Sequence, residues 1–117
     1  MIKIKRGDIV MIKCEGAGNL QRGLRPAVIL QNDIGNKFSP TTIIVPLTSE
    51  MKKINQPTHE IISTNDATGL TVDSMALCEQ IITVNKTSIK RTIGRINNKT
   101  VMENISKACS ISLALVF

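Results

Sequence analysis

Apolar residues in this chain fall into short runs separated by clusters of glycine, asparagine, aspartate, serine and proline, which is the pattern of a β-rich domain. "GDIVMIKC" (7–14) opens on a Gly-Asp turn and reads as the first strand; "EGAGNLQRG" (15–23) reads as a loop. "PAVILQ" (26–31) is a continuous β-branched and aliphatic run, short enough for a strand buried on both faces. Pro26 is expected only at its first position, where no ladder donor is lost. "NDIGNKFSP" (32–40) is turn-rich, and "TTIIVPLT" (41–48) is the third strand. A lysine-bearing loop, "SEMKKINQP" (49–57), precedes the alternating strand "THEIIS" (58–63) and the turn region "TNDATGLTVD" (64–73). "SMALCEQIITV" (74–84) is the longest strand candidate, and "SIKRTIGRI" (88–96) mixes basic and apolar positions towards a short strand.

The last twenty residues change period. Val101, Ile105, Ala108, Ser112 and Leu115 recur at spacings of three and four, flanked by Met102 and Cys109. That stripe predicts one amphipathic C-terminal helix, with Asn97 or Asn98 as its N-cap. The expectation is a single domain over 1–117, mainly β, with the helix closing a small, strongly curved barrel.

Composition narrows the partners. Fifteen Lys and Arg against nine Asp and Glu give a net charge of +6, which favours an anionic partner such as nucleic acid. Phe38 and Phe117 are the only aromatic residues, so any RNA must be read mainly by hydrogen bonds and charge. Cys14, Cys78 and Cys109 are odd in number and far apart, so they are expected as buried small hydrophobes and not as a disulfide framework or zinc site. No apolar run approaches the ~18 residues of a membrane span. "MIKIKRGD" lacks the apolar core of a signal peptide, so the expected location is cytoplasmic, away from any membrane.

Several chemistries lack their residues. His59 is the single histidine, which removes a two-histidine ribonuclease mechanism, and it is expected as a partly exposed strand residue. No G-x-S-x-G elbow accompanies it. The carboxylates are scattered singly, and "GAG" (16–18) is not followed by G-K-[ST], so neither a metal nor a nucleotide cofactor is expected.

"KRGDIV" (5–10), "GLRPAVILQNDIGNKFSPTTIIVPLT" (23–48), "PTHEI" (57–61), "LCEQIITVNK" (77–86) and "ISLAL" (111–115) resemble, in order, the MazF/PemK toxins of toxin–antitoxin systems, in their Gram-positive branch. The resemblance implies a small SH3-like β-barrel of the MazF/PemK/CcdB type, working as a homodimer. It implies a metal-independent, sequence-specific endoribonuclease, an mRNA interferase that cuts single-stranded mRNA and inhibits growth. Attack by the ribose 2′-hydroxyl would leave a 2′,3′-cyclic phosphate and a 5′-hydroxyl. By the same resemblance the cleavage site is expected to contain ACA, and the regulator to be a MazE-like antitoxin with an acidic segment that folds onto a basic groove.

The family's catalytic arginine matches Arg25 and its catalytic threonine Thr48. A guanidinium fork suits the phosphate oxygens on which charge develops, and a threonine hydroxyl can donate to the same group. Because arginine stays ionised in proteins it is a poor general base, so electrostatic stabilisation is its first expected role and donation to the leaving oxygen its second. Arg22, Lys52 and Lys53 are candidates for RNA backbone contact; Gln21, Ser74, Glu79 and Gln80 are candidates for reading base edges. Gln31, Asn32 and Asp33 match the family block but also suit turn stabilisation. Leu20 stands where many relatives carry an acidic residue, and the first strand lacks their aromatics. Two other readings stay open: a non-catalytic RNA-binding barrel, and a gyrase poison of the same fold. The gyrase-poison family ends in a tryptophan-bearing C-terminus, whereas this chain has no Trp and ends "LALVF".

Overall fold

The computed structural model describes residues 2–14 and 23–115, with only the backbone of Cys14. Among them run β1 (Asp8–Cys14), β2 (Gly23–Ile29), α1 (Asp33–Phe38), β3 (Thr41–Thr48), β4 (His59–Ile62), β5 (Ser74–Leu77), β6 (Ile82–Asn85), a 3-10 turn (Lys86–Ser88), β7 (Ile89–Arg95) and α2 (Lys99–Ser112). The strands are hydrogen-bonded in the order β4-β5-β3-β2-β1-β7, with β6 also on β3, and every pairing is antiparallel.

The row β6-β3-β2-β1-β7 cannot be flat. Five flat strands would hold the outer two about 19 Å apart, yet β6 and β7 are joined by three residues in a 3-10 turn, which rise only about 6 Å. The row therefore rolls until its edges approach. Both faces of β2 and β3 are covered as a result. Val28, Val45 and Leu47 pack with Val101, Ile105, Ala108 and Cys109 of α2. Ala27, Ile29 and Ile44 pack with Ile4, Val10, Ile12 and Ile89 in a second cluster. Burial on two sides is why "PAVILQ" is continuous and not alternating.

Pro26 is the fourth residue of β2, opposite Met11, and not its first. The hydrogen bond from Leu30 N–H to Ile43 O fixes the parity of the β2–β3 ladder, so the nitrogen of residue 26 points towards β3. The paired residues of that ladder begin only at Ala27, and no donor is required of Pro26. Pro46 uses the same device on the far side of β3. It sits between Ile44, the last residue paired with β6, and Leu47, the first paired with β5.

That change of partner also breaks the single strand expected over 74–84. β5 pairs with β4 and the end of β3, whereas β6 pairs with its beginning. The chain crosses between them through a turn closed by Gln80 N–H on Leu77 O (2.9 Å). The turn expected at 32–40 contains a six-residue helix, α1, because the Asn32 side chain caps it by accepting from Gly35 N–H (2.8 Å). Asp33 accepts from Arg6 N–H (2.8 Å), which, more than any other contact, holds its carboxyl below the usual range.

α2 begins as expected, with the Asn98 side chain accepting from Thr100 N–H (3.0 Å) and Val101 N–H (3.4 Å). It ends at Ser112, with Ala114 at φ +57°, so Leu115 leaves the predicted stripe and is exposed. Cys109 joins the buried face instead of flanking it. Its thiol neighbours that of Cys78, and this neighbour together with burial pushes the Cys78 thiol upward in pKa. Two thirds of the cysteines thus behave as buried hydrophobes; the Cys14 side chain lies outside the described residues. Among the described residues, no helix is long and apolar enough to cross a membrane.

Loop 67–72 presses on β7 backbone to backbone. An added Cβ would lie 2.0 Å from Ile93 O at Gly69, which also has φ +80°, and 1.9 Å from Thr68 O at Gly94. Only glycine fits at either place.

Candidate active site

Arg25 is the third residue of β2, half-buried and opposite Ile12 of β1. The β2–β3 register pairs Ala27 with Pro46, Val28 with Val45 and Ile29 with Ile44. Continued by two residues, it sets Arg25 opposite Thr48, the last residue of β3. Both line a cavity of about 520 Å³. Thr48 Oγ1 accepts from Glu50 N–H (3.1 Å), a side-chain-to-backbone turn that fixes the oxygen and leaves the hydroxyl hydrogen to be donated.

The lysine-bearing loop that follows β3 forms one wall. Lys52 and Lys53 both line the cavity and are exposed. Lys52 meets Glu50 at 3.7 Å with both side chains largely in solvent, an arrangement that contributes about 0–1 kcal/mol and yields easily to a stronger anion. Lys53 has φ +54°, a left-handed backbone unusual for its residue type.

The opposite wall comes from β5 and the turn after it. Ser74 is buried, and its hydroxyl already donates to Val72 O (3.3 Å). Glu79 is exposed and lines the same cavity. Gln80 lines it too, and its Oε1 is buried without a hydrogen-bond partner, unlike the other buried side-chain polar atoms of the described residues. Gln21 and Arg22 lie outside the described residues. Thus Arg25, Thr48, Lys52, Lys53, Ser74, Glu79 and Gln80 surround one cavity, although they are spread over 56 positions of sequence and three strands. Gln31, Asn32 and Asp33 are elsewhere: Asn32 caps α1, Asp33 opens its first turn, and Gln31, just before the cap, donates to Thr41 O (3.1 Å).

His59 is a partly exposed strand residue, as expected, but its ring is enclosed. Its side chain is only 6% exposed, with Nε2 2.8 Å from Glu79 Oε2 and Nδ1 2.9 Å from Lys53 O. It therefore ties both walls of the cavity together. Strand alternation gives no sign of this, because it does not show that the preceding loop folds back over His59 or that Glu79, twenty residues on, meets it. The Glu50 amide beneath Thr48 was equally invisible, being a backbone group.

Chemically the cavity offers a guanidinium and two ammoniums for a polyanion, and a fixed hydroxyl for a phosphate oxygen. It also holds the Gln80 amide on its wall, a group that can both donate and accept, as reading a base edge requires.

A model of the "PemK-like, MazF-like toxin of type II toxin-antitoxin system" matches residues 5–113. The chain is 38% identical over 114 residues to Endoribonuclease EndoA of Bacillus subtilis, covering 97% of each. It is 38% identical over 113 residues to Endoribonuclease MazF of Staphylococcus saprophyticus, covering 96% of this chain and 92% of that one. Its fold is similar to that of an endoribonuclease solved in complex with its cognate antitoxin from Mycobacterial species, with a TM-score of 0.78 at 22% identity, covering 97% and 98% of the two chains.

Proposed function

The chain belongs to the PemK-like, MazF-like toxins of type II toxin–antitoxin systems, and from that premise we propose that it is an endoribonuclease toxin that cuts single-stranded mRNA at a short motif. The observation that carries the reading is the meeting of Arg25 and Thr48 in one cavity, with the Thr48 oxygen anchored on the Glu50 amide.

In this reading the ribose 2′-oxygen attacks the adjacent phosphorus and gives up its proton, and the bond from phosphorus to the 5′-oxygen breaks. The products are a 2′,3′-cyclic phosphate and a 5′-hydroxyl, the leaving oxygen gaining a proton. Charge builds on the non-bridging oxygens, where the guanidinium of Arg25 and the hydroxyl of Thr48 donate. One preorganised donor of this kind contributes about 2.7–4 kcal/mol. Lys52 and Lys53 hold the backbone, while Glu79 and Gln80 meet base edges and Ser74 shapes the floor between them. No step calls for a metal. A homodimer would carry two such sites, and an acidic MazE-like antitoxin would compete with RNA for the basic surface.

The test is incubation of the purified protein with a long single-stranded RNA in EDTA, with the ends mapped by primer extension. Discrete cuts sharing one motif, lost in Arg25→Ala and Thr48→Ala, are expected. RNA that is shifted on a gel but never shortened would replace the enzyme with a binding protein.

A further inference from the structure

A second cavity, of about 670 Å³, lies at the other end of β2, between residues 2–5, α1 and Lys86. Lys3, Lys5, Lys37 and Lys86 line it. Lys86 is the unusual one, because the whole residue is only 3% exposed. Its ammonium donates to Asn36 O, near the end of α1. That is one acceptor for three N–H donors, where a buried charge normally satisfies them all.

The neighbouring acceptors are already occupied. Asn36 Oδ1 receives Thr42 Oγ1 (2.7 Å) and Gln31 Nε2 (3.2 Å). The two carboxylates lining the cavity are engaged elsewhere. Asp8 accepts from Arg95 Nη1 (2.9 Å) and Lys5 N–H (2.8 Å), and Asp33 from Arg6 N–H (2.8 Å) and Asn36 Nδ2 (3.2 Å). Lys37 rests over the Phe38 ring, 5.3 Å from its centroid, a contact that consumes no donor. Among the described residues none of these four ammoniums forms an ion pair. The cavity therefore sets three lysines, Lys3, Lys5 and Lys37, around the buried Lys86 ammonium, which has two unfilled donor positions.

We propose that this cavity is a binding site for a phosphate-class anion, with Lys86 at its base and Lys3, Lys5 and Lys37 at its rim. Capping the end of α1 accounts for one donor of Lys86 and for none of the rim lysines. A tetrahedral anion has oxygens enough for the remaining donors, and a planar carboxylate has fewer. The source is either a backbone phosphate of bound RNA, remote from the cut, or a free phosphate or pyrophosphate. The site is separate from Arg25 and Thr48, so it stands whether or not the chain cuts RNA.

The experiment measures Tm against pyrophosphate at matched ionic strength, for the wild type, Lys86→Met and the rim double variant Lys3→Gln/Lys37→Gln. Binding to the folded state is expected to raise the wild-type Tm by about 5 °C near saturation. Lys86→Met should abolish that rise, and the rim variant should weaken pyrophosphate affinity at least about fivefold; the latter decides the matter if Lys86→Met does not fold. Affinities for a minimal oligonucleotide and a long RNA are then compared in the rim variant. A loss confined to long RNA assigns the site to the RNA backbone, and no loss on either assigns it to a free anion. A wild-type Tm that pyrophosphate does not move, or an undiminished rise in the variants that fold, would overturn the proposal.

Discussion

His59 Nε2 stands 2.8 Å from Glu79 Oε2 while its Nδ1 faces Lys53 O at 2.9 Å, so one buried ring joins the lysine-bearing loop to the turn after β5 across the candidate site. Beside it, Cys78 N–H donates to Thr58 O (2.9 Å) at the base of the same two segments, so the ring is the side-chain tie between them. Removing the ring should loosen RNA binding before it harms chemistry. We expect His59→Ala to raise KM for RNA about five- to tenfold, on the order of 1 kcal/mol, with kcat within about threefold of wild type. Steady-state kinetics on a short fluorogenic RNA would show it. Equal losses in kcat and kcat/KM would instead place His59 among the groups acting in the transition state.

Arg25 is proposed to act on developing charge, and its value lies in the planar fork. Arg25→Lys keeps the charge and loses the paired donors, so single-turnover cleavage should fall about 10²–10³-fold. The circular dichroism spectrum and Tm should stay close to wild type. A lysine variant within a few-fold of wild type would mean that a point charge suffices.

Gly94 allows Thr68 O to lie where a side chain would begin, 1.9 Å from an added Cβ. Gly94→Ala has to push loop 67–72 off β7, and Gly69 in that loop lines the cavity. Urea unfolding should show a loss of about 2–3 kcal/mol or more, since overpacking against fixed backbone costs at least this much. Cleavage should weaken with it.

Asp33 and Asp66 both have carboxyls held below their usual range, Asp33 by Arg6 N–H above all and Asp66 by Ser63 N–H and the Asn98 amide. A carboxyl with a lowered folded-state pKa stabilises the fold fully above its unfolded pKa. That stability drains away as the pH drops through the interval down to the folded value. Tm should therefore decline as the pH is lowered below about 4, and Asp66→Asn should flatten that decline. A variant with the wild-type acid slope would remove Asp66 from the account.

Cys78 is buried beside Cys109, donates to Ala76 O (3.9 Å) and is shifted away from its thiolate form. A thiol reagent at neutral pH should leave it unmodified in the native state and label it only after unfolding, because the thiolate is the reactive species. Mass mapping of the labelled peptides distinguishes it from Cys14. Prompt native labelling at Cys78 would contradict the burial of this side chain.

Much of this protein is set by local pattern. The bounds of β3, the bounds of β1 and β4 to within a residue, a cap at Asn97 or Asn98 and the Val101-Ile105-Ala108 stripe follow from alternation, period and capping chemistry, all of which act between residues a few positions apart. The resemblance carried by "GLRPAVILQNDIGNKFSPTTIIVPLT" likewise singled out Arg25 and Thr48 before any geometry. What local pattern could not contain is partner exchange. The run 74–84 has only the polar pair Glu79-Gln80 at its middle to mark a break, yet it divides there because β3 has room for β6 at one end and β5 at the other. Pro26 is expected only at a strand's first position, yet the ladders show that neither it, inside β2, nor Pro46, inside β3, owes a donor. His59 became an enclosed tie because the loop before β4 and the turn holding Glu79 close on it together, and Lys86 a buried ammonium because α1, fifty residues away, covers it. Sequence determines which face of a strand is apolar through contacts the strand makes within itself. Which segments then cover that face, and which polar atoms they enclose, is decided only when the sheet rolls and brings remote chain together.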